Sequence, residues 1–203
     1  MITGWPSTLH EGPVALRPIR RGDRAAWLEV RSRNREWLGP WEATPPRDAA
    51  TAIGFGAMVR QLRAQARRGQ TLPFVVTYEG RLAGQLTVGG ITWGSLCSAH
   101  FGYWVDERIA GRGVMPTAVA MAVDHCFRTV GLHRIEVNIR PENVASLRVV
   151  EKLGFRDEGI RLQLLHIAGG WRDHRSFAIT AEEVPEGMVA RWRAVRPAHD
   201  RPT

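Results

Sequence analysis

Residues 99–127 read AHFGYWVDERIAGRGVMPTAVAMAVDHCF, and this stretch decides the fold. Its first residues, AHFGYWVD, predict a strand; a turn follows at residues 108–113, and a helix begins near Met115. Pro116 suits the first turn of that helix, where its missing N–H costs nothing. A helix N-terminus exposes unpaired N–H groups and the positive end of the helix dipole, so this connection favours an anion.

The turn contains two glycines and two arginines. Gly111 and Gly113 lack a Cβ, which lets their backbone approach a phosphate closely and adopt a positive φ. Arg108 and Arg112 add positive charge. A glycine turn before a helix is also a common tight connection, so the residues alone leave a phosphate site and a purely structural turn both open.

Three sequence blocks carry a family resemblance. Arg-x-x-Gly-x-Gly at 108–113 resembles the pyrophosphate-binding motif of the GCN5-related N-acetyltransferases (GNAT), which use acetyl-coenzyme A. RIEVNIRPENVAS at 134–146 and KLGF at 152–155 resemble the RimJ/RimL branch of that superfamily, the ribosomal-protein alanine N-acetyltransferases. GWRDH at 170–174 is similar to the last-strand signature of the same branch. The three blocks in this order are more specific than any one of them.

The resemblance implies a single α/β (α+β) domain over residues 1–203, with a core at about 14–180 and a C-terminal helix and tail at 181–203. The expected architecture is a central mixed sheet of about seven strands, flanked by helices on both faces. The sheet should be splayed between the strand that ends at Asp106 and the strand that begins near Arg134, and the pantetheine arm should fill the split.

The resemblance also assigns residues to acetyl-coenzyme A. They are Tyr103, Trp104, Val105, Arg108, Gly111, Arg112, Gly113, Val114, Met115, Asn143 and Ser146. The peptide-like arm is expected to pair with the backbone at 103–105 as an added strand, and an N–H there could hold the developing oxyanion. Asn143 would hydrogen-bond the arm, although a helix N-cap after Pro141 is a strong alternative.

The thiolate leaving group needs a stabilising or protonating partner. Many superfamily members have a tyrosine seven residues after the asparagine, but Val150 occupies that position here. The RimJ/RimL branch has a serine three residues after it, which Ser146 matches, and that spacing puts both side chains on one helix face. Without the resemblance, Ser146 would be interpreted as a solvated helix serine.

Glu136 is the leading candidate for a catalytic base. It lies on the polar face of an alternating strand, and a salt bridge to an arginine is an equally good interpretation. Asp173 and His174 could form an acid/base pair but more naturally pin a hairpin. Gln163 and Leu165 occupy the region where some relatives have an acidic residue, so no second carboxylate is nominated. A weak base suffices for an α-amine, of which roughly 10–20% is neutral at pH 7.

Composition narrows the class of protein. The chain has 203 residues, 44% of them hydrophobic, which fits one soluble domain. No apolar run is long enough for a membrane span and no signal segment is visible, so we expect a cytoplasmic protein. Cys97 and Cys126 lack metal-type spacing, and we expect reduced, inert thiols and no metal.

The net charge of +8 has two interpretations of equal weight. The basic surface could bind a ribosome-associated target or the polyanionic cofactor, or it could be a solubilising surface from an arginine-rich coding bias. The arginines are spread along the chain without an aromatic-interleaved block, which argues against a dedicated nucleic-acid site.

Several elements away from the motifs are also predicted. Asp23 should cap a first helix, and a second helix should span 48–67 with Ile53, Met58 and Leu62 facing inward. Trp37 and Trp41 could form a pocket wall or pin helix ends; the resemblance implies that their segment borders the acceptor cleft, which favours exposure of one of them to substrate. Strands at 160–167 and 171–179 should form a terminal hairpin, and a capping box at 180–183 should start a last helix that reaches about Val195.

Together these features predict direct transfer of acetyl from acetyl-coenzyme A to an amine. The favoured acceptor is the N-terminal α-amine of a protein or peptide, possibly a ribosomal protein. Acetylation of a small amine, such as an antibiotic or polyamine, is the alternative within the enzyme class. A non-catalytic acyl-coenzyme A sensor or ribosome-associated binding protein is the alternative outside it. A monomer and a homodimer are both compatible with the sequence.

Overall fold

The computed structural model describes residues 2–46 and 53–196. The described residues form one mixed sheet of eight strands in the order β1-β2-β3-β4-β5-β6-β8-β7. The strands are β1 (Leu9–Glu11), β2 (Val14–Pro18), β3 (Leu72–Tyr78), β4 (Arg81–Thr92), β5 (Ser98–Val105), β6 (Arg134–Ile139), β7 (Arg156–Ile167) and β8 (Gly170–Thr180). The helices are α1 (Arg24–Arg33), α2 (Arg35–Leu38), α3 (Phe55–Arg67), α4 (Val114–His125), α5 (Val144–Leu153) and α6 (Met188–Val195).

The sheet is splayed between β5 and β6, as predicted. Residues 98–100 of β5 pair in parallel with residues 134–136 of β6, and the pairing stops there. β5 continues along β4 to Val105, while β6 stays paired with β8 to Ile139. Beyond His100, the edge of β5 that faces β6 is therefore open.

Helices cover both faces of the sheet, which confirms the predicted class. On one face, α4 is almost wholly buried and shares the main core with the apolar side of β6, which consists of Ile135, Val137 and Ile139. On the other face, Val59 of α3 packs with Val75 of β3 in a smaller cluster. The predicted alternation of β6 is confirmed, because one sheet face lies under α4 and the other does not.

The structure differs from the prediction at both chain ends. β1 adds an eighth strand to the expected seven; its three residues are too few to show an alternating pattern. The capping box at Thr180 and Glu183 exists, but it caps a 3-10 turn at 181–183. The last helix begins only at Met188, after Gly187, whose φ of 102° separates the two elements.

The predicted helix at 48–67 is also shorter than expected. It begins at Phe55, and residues 47–52 lie outside the described ranges. The inward assignment of Ile53 is wrong: it precedes the helix and is 60% exposed. Met58 and Leu62 pack against the smaller core cluster as predicted. Asp23 precedes α1, but its carboxylate accepts hydrogen bonds from Arg17 and the Arg20 N–H and does not cap the helix.

Candidate active site

A cavity of about 610 Å³ opens where β5 and β6 diverge. Its wall combines the open edge of β5, the glycine turn with the start of α4, one face of α5 and the segment that follows α1. The lining residues are Arg31, Trp37, Leu38, Trp41, Glu42, Tyr103, Trp104, Val105, Ile109, Ala110, Gly111, Gly113, Val114, Met115, Pro116, Asn143, Ala145, Ser146, Arg148, Val149 and Lys152.

The turn before α4 has the geometry of an anion site. Gly111 and Gly113 have φ values of 83° and 73°, in the left-handed region that favours glycine. Gly113 is the N-cap of α4, and no side chain among the described residues caps that helix. The first-turn N–H groups of Val114 and Met115 are therefore available to an anion at the positive end of the helix dipole.

The cations that line the cavity differ from the two arginines in the turn. Arg108 and Arg112 are exposed, and neither lines the cavity. Arg148 and Lys152, on α5, do line it. They are four residues apart and so share a helix face. This spacing is visible in the sequence but is not part of the family motif.

A buried acid holds the turn in place. Asp106, at the end of β5, is 5% exposed and accepts hydrogen bonds from Arg33 (2.6 Å) and the Asn34 amide (2.9 Å). Asn34 Oδ1 in turn accepts from the Glu107 N–H at 2.9 Å. Burial alone would raise the pKa of the Asp106 carboxyl, but these hydrogen bonds and the charge of Arg33 outweigh it and hold the pKa below its ordinary value.

Asn143, Ser146 and Tyr103 meet at the cavity. Asn143 Oδ1 accepts from the Ser146 N–H at 3.1 Å, so the asparagine is the N-cap of α5. Ser146 Oγ lies 2.9 Å from the Tyr103 hydroxyl across the split. Burial raises the pKa of the Tyr103 phenol, and the bond to Ser146 only partly offsets this. The sequence assigns only the backbone of Tyr103 to the coenzyme. It does not predict the contact of the Tyr103 hydroxyl with Ser146, because the two residues are 43 positions apart.

Two positions discussed as sources of acid/base groups face elsewhere. Val150, where many relatives have tyrosine, is fully buried in the core. Glu136 does not line the cavity; it lies where β5 and β6 are still paired, and it accepts hydrogen bonds from Arg134 (3.0 Å) and Arg161 (2.9 Å). The salt-bridge interpretation of Glu136 matches this geometry.

Asp173 and His174 serve the terminal hairpin. Asp173 accepts from the Gln163 N–H at 2.8 Å, where the β7–β8 register shifts and Gln163 has a φ of 49°. His174 is 3% exposed, and its Nδ1 lies 3.0 Å from the Arg172 carbonyl oxygen. Neither residue lines the cavity.

One side of the cavity is an aromatic wall formed by the segment that follows α1. Trp37 and Trp41 both line it, on α2 and on the 3-10 turn after α2. Arg140 packs over Trp41, with its Cζ 5.5 Å from the ring centroid. Glu42 is paired with Arg31 beside them. Both tryptophans of the segment predicted to border the acceptor cleft therefore lie in the cavity wall.

Possible metal ligands, the two cysteines and the helix lengths each give one observation on the described residues. No group of three His, Cys, Asp or Glu residues there is arranged to hold a metal ion. Cys126 is buried and burial raises the pKa of its thiol, while Cys97 lies outside the cavity. Across residues 2–46 and 53–196, no helix has the length and apolar character needed to cross a membrane.

Comparison with known proteins identifies the family. The model of an acetyltransferase (GNAT) domain matches residues 14–156. The chain belongs to the GNAT acetyltransferase family. It is 32% identical over 168 residues to the probable N-acetyltransferase YjcK of Bacillus subtilis, covering 82% of this chain and 93% of YjcK. It is 29% identical over 169 residues to the [ribosomal protein uS5]-alanine N-acetyltransferase of Escherichia coli, covering 81% and 87% of the two chains.

A solved structure extends the similarity over nearly the whole chain. Mycobacterium smegmatis RimJ, in complex with CoA-disulfide, is 43% identical and superposes with a TM-score of 0.90, covering 96% of this chain and 97% of that one. This GNAT protein is therefore an acetyl-coenzyme A-dependent N-acetyltransferase. Its glycine turn, uncapped helix N-terminus and open strand edge fit the pyrophosphate and the peptide-like arm of the coenzyme.

Proposed function

We propose that this GNAT enzyme acetylates the N-terminal α-amine of a protein, with ribosomal proteins as the substrate class. The similarity to RimJ, at 43% identity over 96% of the chain, is the observation that carries the proposal. The cytoplasm, where ribosomal proteins are made, is the corresponding compartment. A monomer and a homodimer both accommodate this activity.

The coenzyme would be held by the turn and by the open strand. N–H groups of Gly113, Val114 and Met115 would bind its pyrophosphate, and the backbone at 103–105 would pair with its pantetheine arm. Asn143 would orient the arm through the amide group that is not used in the cap. Acetyl-coenzyme A supplies an activated acetyl group and a thiolate leaving group.

The hydroxyl pair would handle the proton at that sulfur. The Tyr103 phenol keeps its proton at neutral pH, as an ordinary tyrosine does, and burial raises its pKa further. The 2.9 Å contact lets Ser146 pass a proton to the sulfur and recover one from Tyr103. The proton that the amine loses during attack restores the pair, so the step is balanced. Ser146 thus keeps its proposed catalytic role, and Tyr103 joins it.

The experiment is transfer to a panel of acceptors. Purified enzyme is incubated with acetyl-coenzyme A and peptides that begin with Ala, Ser or Met, or with spermidine, and is monitored by mass shift and thiol release. The proposal predicts acetylated peptides with an equal release of thiol. Modification of spermidine alone would replace it with the small-amine function, and coenzyme binding without any transfer would replace it with a sensor role.

A further inference from the structure

The cavity contains one carboxylate that the proposed mechanism does not use. Among the described residues that line it, Glu42 alone is acidic, whereas Arg31, Arg148 and Lys152 are cationic. A carboxylate repels the phosphates of the coenzyme, so it has no favourable role at the phosphate end of the site. Glu42 instead lies on the segment that follows α1, which also contains Trp37 and Trp41 of the aromatic wall.

Glu42 is held in place by a clamped arginine. The guanidinium of Arg31 lies 5.4 Å from the ring centroid of Trp27 and 5.3 Å from that of Trp104. Trp27 is fixed in turn, because its Nε1 donates to Gln85 at 3.1 Å. The Arg31 guanidinium donates to Glu42 Oε1, and burial lowers the pKa of Arg31. A side chain packed against two indole rings has little freedom, so the position of its carboxylate partner is set in advance.

The turn that precedes Glu42 is also anchored by Arg140, which follows β6. Arg140 donates to the Pro40 carbonyl oxygen at 2.9 Å and packs over Trp41. Glu42 nevertheless keeps 40% of its side-chain surface accessible, so it can receive another donor. The segment is thus both fixed in place and open to a ligand.

A cationic acceptor needs such a group. The chain carries a net charge of +8, which repels an ammonium ion. At pH 7 most of an α-amine is still protonated. We propose that Glu42 binds the ammonium form of the acceptor amine, which then releases one proton to solvent and attacks as the neutral amine, with Trp37 and Trp41 as the walls beside it. This inference rests on the proposed N-acetyltransferase function and names the part of the site that recognises the acceptor.

The test compares Glu42→Gln with Glu36→Gln, a matched control. Glu36 lies on the same segment, is exposed and does not line the cavity. Steady-state kinetics are measured with an Ala-initiated peptide and with spermidine. E42Q should raise KM for the acceptor about tenfold, the loss expected for a hydrogen bond to a charged group, with kcat changed less than about twofold. E36Q should match the wild type.

Binding measurements separate recognition from stability. With coenzyme A present, the wild type should bind the free-amine peptide more tightly than its N-acetylated form, and E42Q should lose that preference. The affinity of E42Q for coenzyme A and its Tm should equal those of the wild type. Glu42→Asp should recover part of the preference for the free-amine peptide. A wild type without the preference, or an E42Q variant that keeps it, overturns the inference. A wild type that acetylates spermidine but not the peptide would overturn only the proposed acceptor. The effect of E42Q on KM is then measured with spermidine.

Discussion

At the scale of single residues, the site is a set of contacts that span long sequence distances. Ser146 and Asn143 follow from a local motif, and the N-cap alternative for Asn143 matches the helix that begins after it. The Tyr103 hydroxyl that meets Ser146 was not predicted, because no sequence spacing relates a strand residue to a helix residue across a split. For Glu136 the strand face and a salt bridge to an arginine are both among the predictions, but the sequence does not show that the partners are Arg134 and Arg161.

The hydroxyl pair leads to a kinetic prediction. Tyr103→Phe removes the phenol proton from the relay to the leaving sulfur, and we expect kcat to fall about 100-fold. Ser146→Ala should cause a loss of similar size, and the double variant should lose little more, because the two residues act as one unit. Stopped-flow detection of thiol release measures this. Tyr78→Phe, the other tyrosine and not a cavity residue, is the control and should retain wild-type kcat.

The buried carboxylate at the end of β5 leads to a pH prediction. The folded-state pKa of Asp106 lies below its ordinary value, so the ionised carboxylate stabilises the fold above about pH 4. That contribution is lost as the pH falls through the folded-state pKa. Asp106→Asn should therefore lower the free energy of unfolding by about 1–3 kcal/mol at pH 7, and its difference from the wild type should shrink below about pH 4.

Urea unfolding at a series of pH values measures the Asp106 effect. Asp157→Asn is the control, because Asp157 pairs with Arg175 on the exposed hairpin and such pairs contribute little. An Asp106→Asn variant that is as stable as the wild type at pH 7 would remove the carboxylate from the account of how the turn is held.

At the scale of elements, the pieces with a strong local pattern were predicted and the pieces defined by tertiary contacts were not. The alternation of β6 and the glycine turn before α4 are local, and both are present. The three-residue β1 pairs only with β2 and has no pattern of its own. The sequence analysis does not assign Arg148 and Lys152, because their place on the cavity wall follows only from the packing of α5 in the fold.

The glycine turn gives a prediction at this scale. Gly111→Ala places a Cβ at a φ of 83°, and a left-handed residue costs roughly 1–2 kcal/mol of free energy. Gly80→Ala is the control: it has a φ of 76° in the β3–β4 turn, and a Cβ at either position meets nothing within 4 Å. Both variants should lose similar stability. Only Gly111→Ala should weaken coenzyme A binding, measured by titration calorimetry; equal coenzyme affinity in the two variants would contradict an anion site at the turn.

At the scale of the whole molecule, the fold separates two opposite electrostatic needs. The coenzyme is an anion, and the uncapped α4 terminus with Arg148 and Lys152 suits it. The acceptor is a cation, and Glu42 supplies the only negative charge among the described cavity residues. The net charge of +8 does not show where positive and negative groups lie along the cavity. For this reason composition alone leaves the role of the basic surface open.

The central claim is transfer to an α-amine, and one measurement tests it most directly. A peptide with a free N-terminal alanine and one internal lysine is incubated with the enzyme and acetyl-coenzyme A, and tandem mass spectrometry locates the acetyl group. The account predicts modification of the α-amine alone. Acetylation of the lysine side chain, or no acetylation while coenzyme A binds, would contradict it.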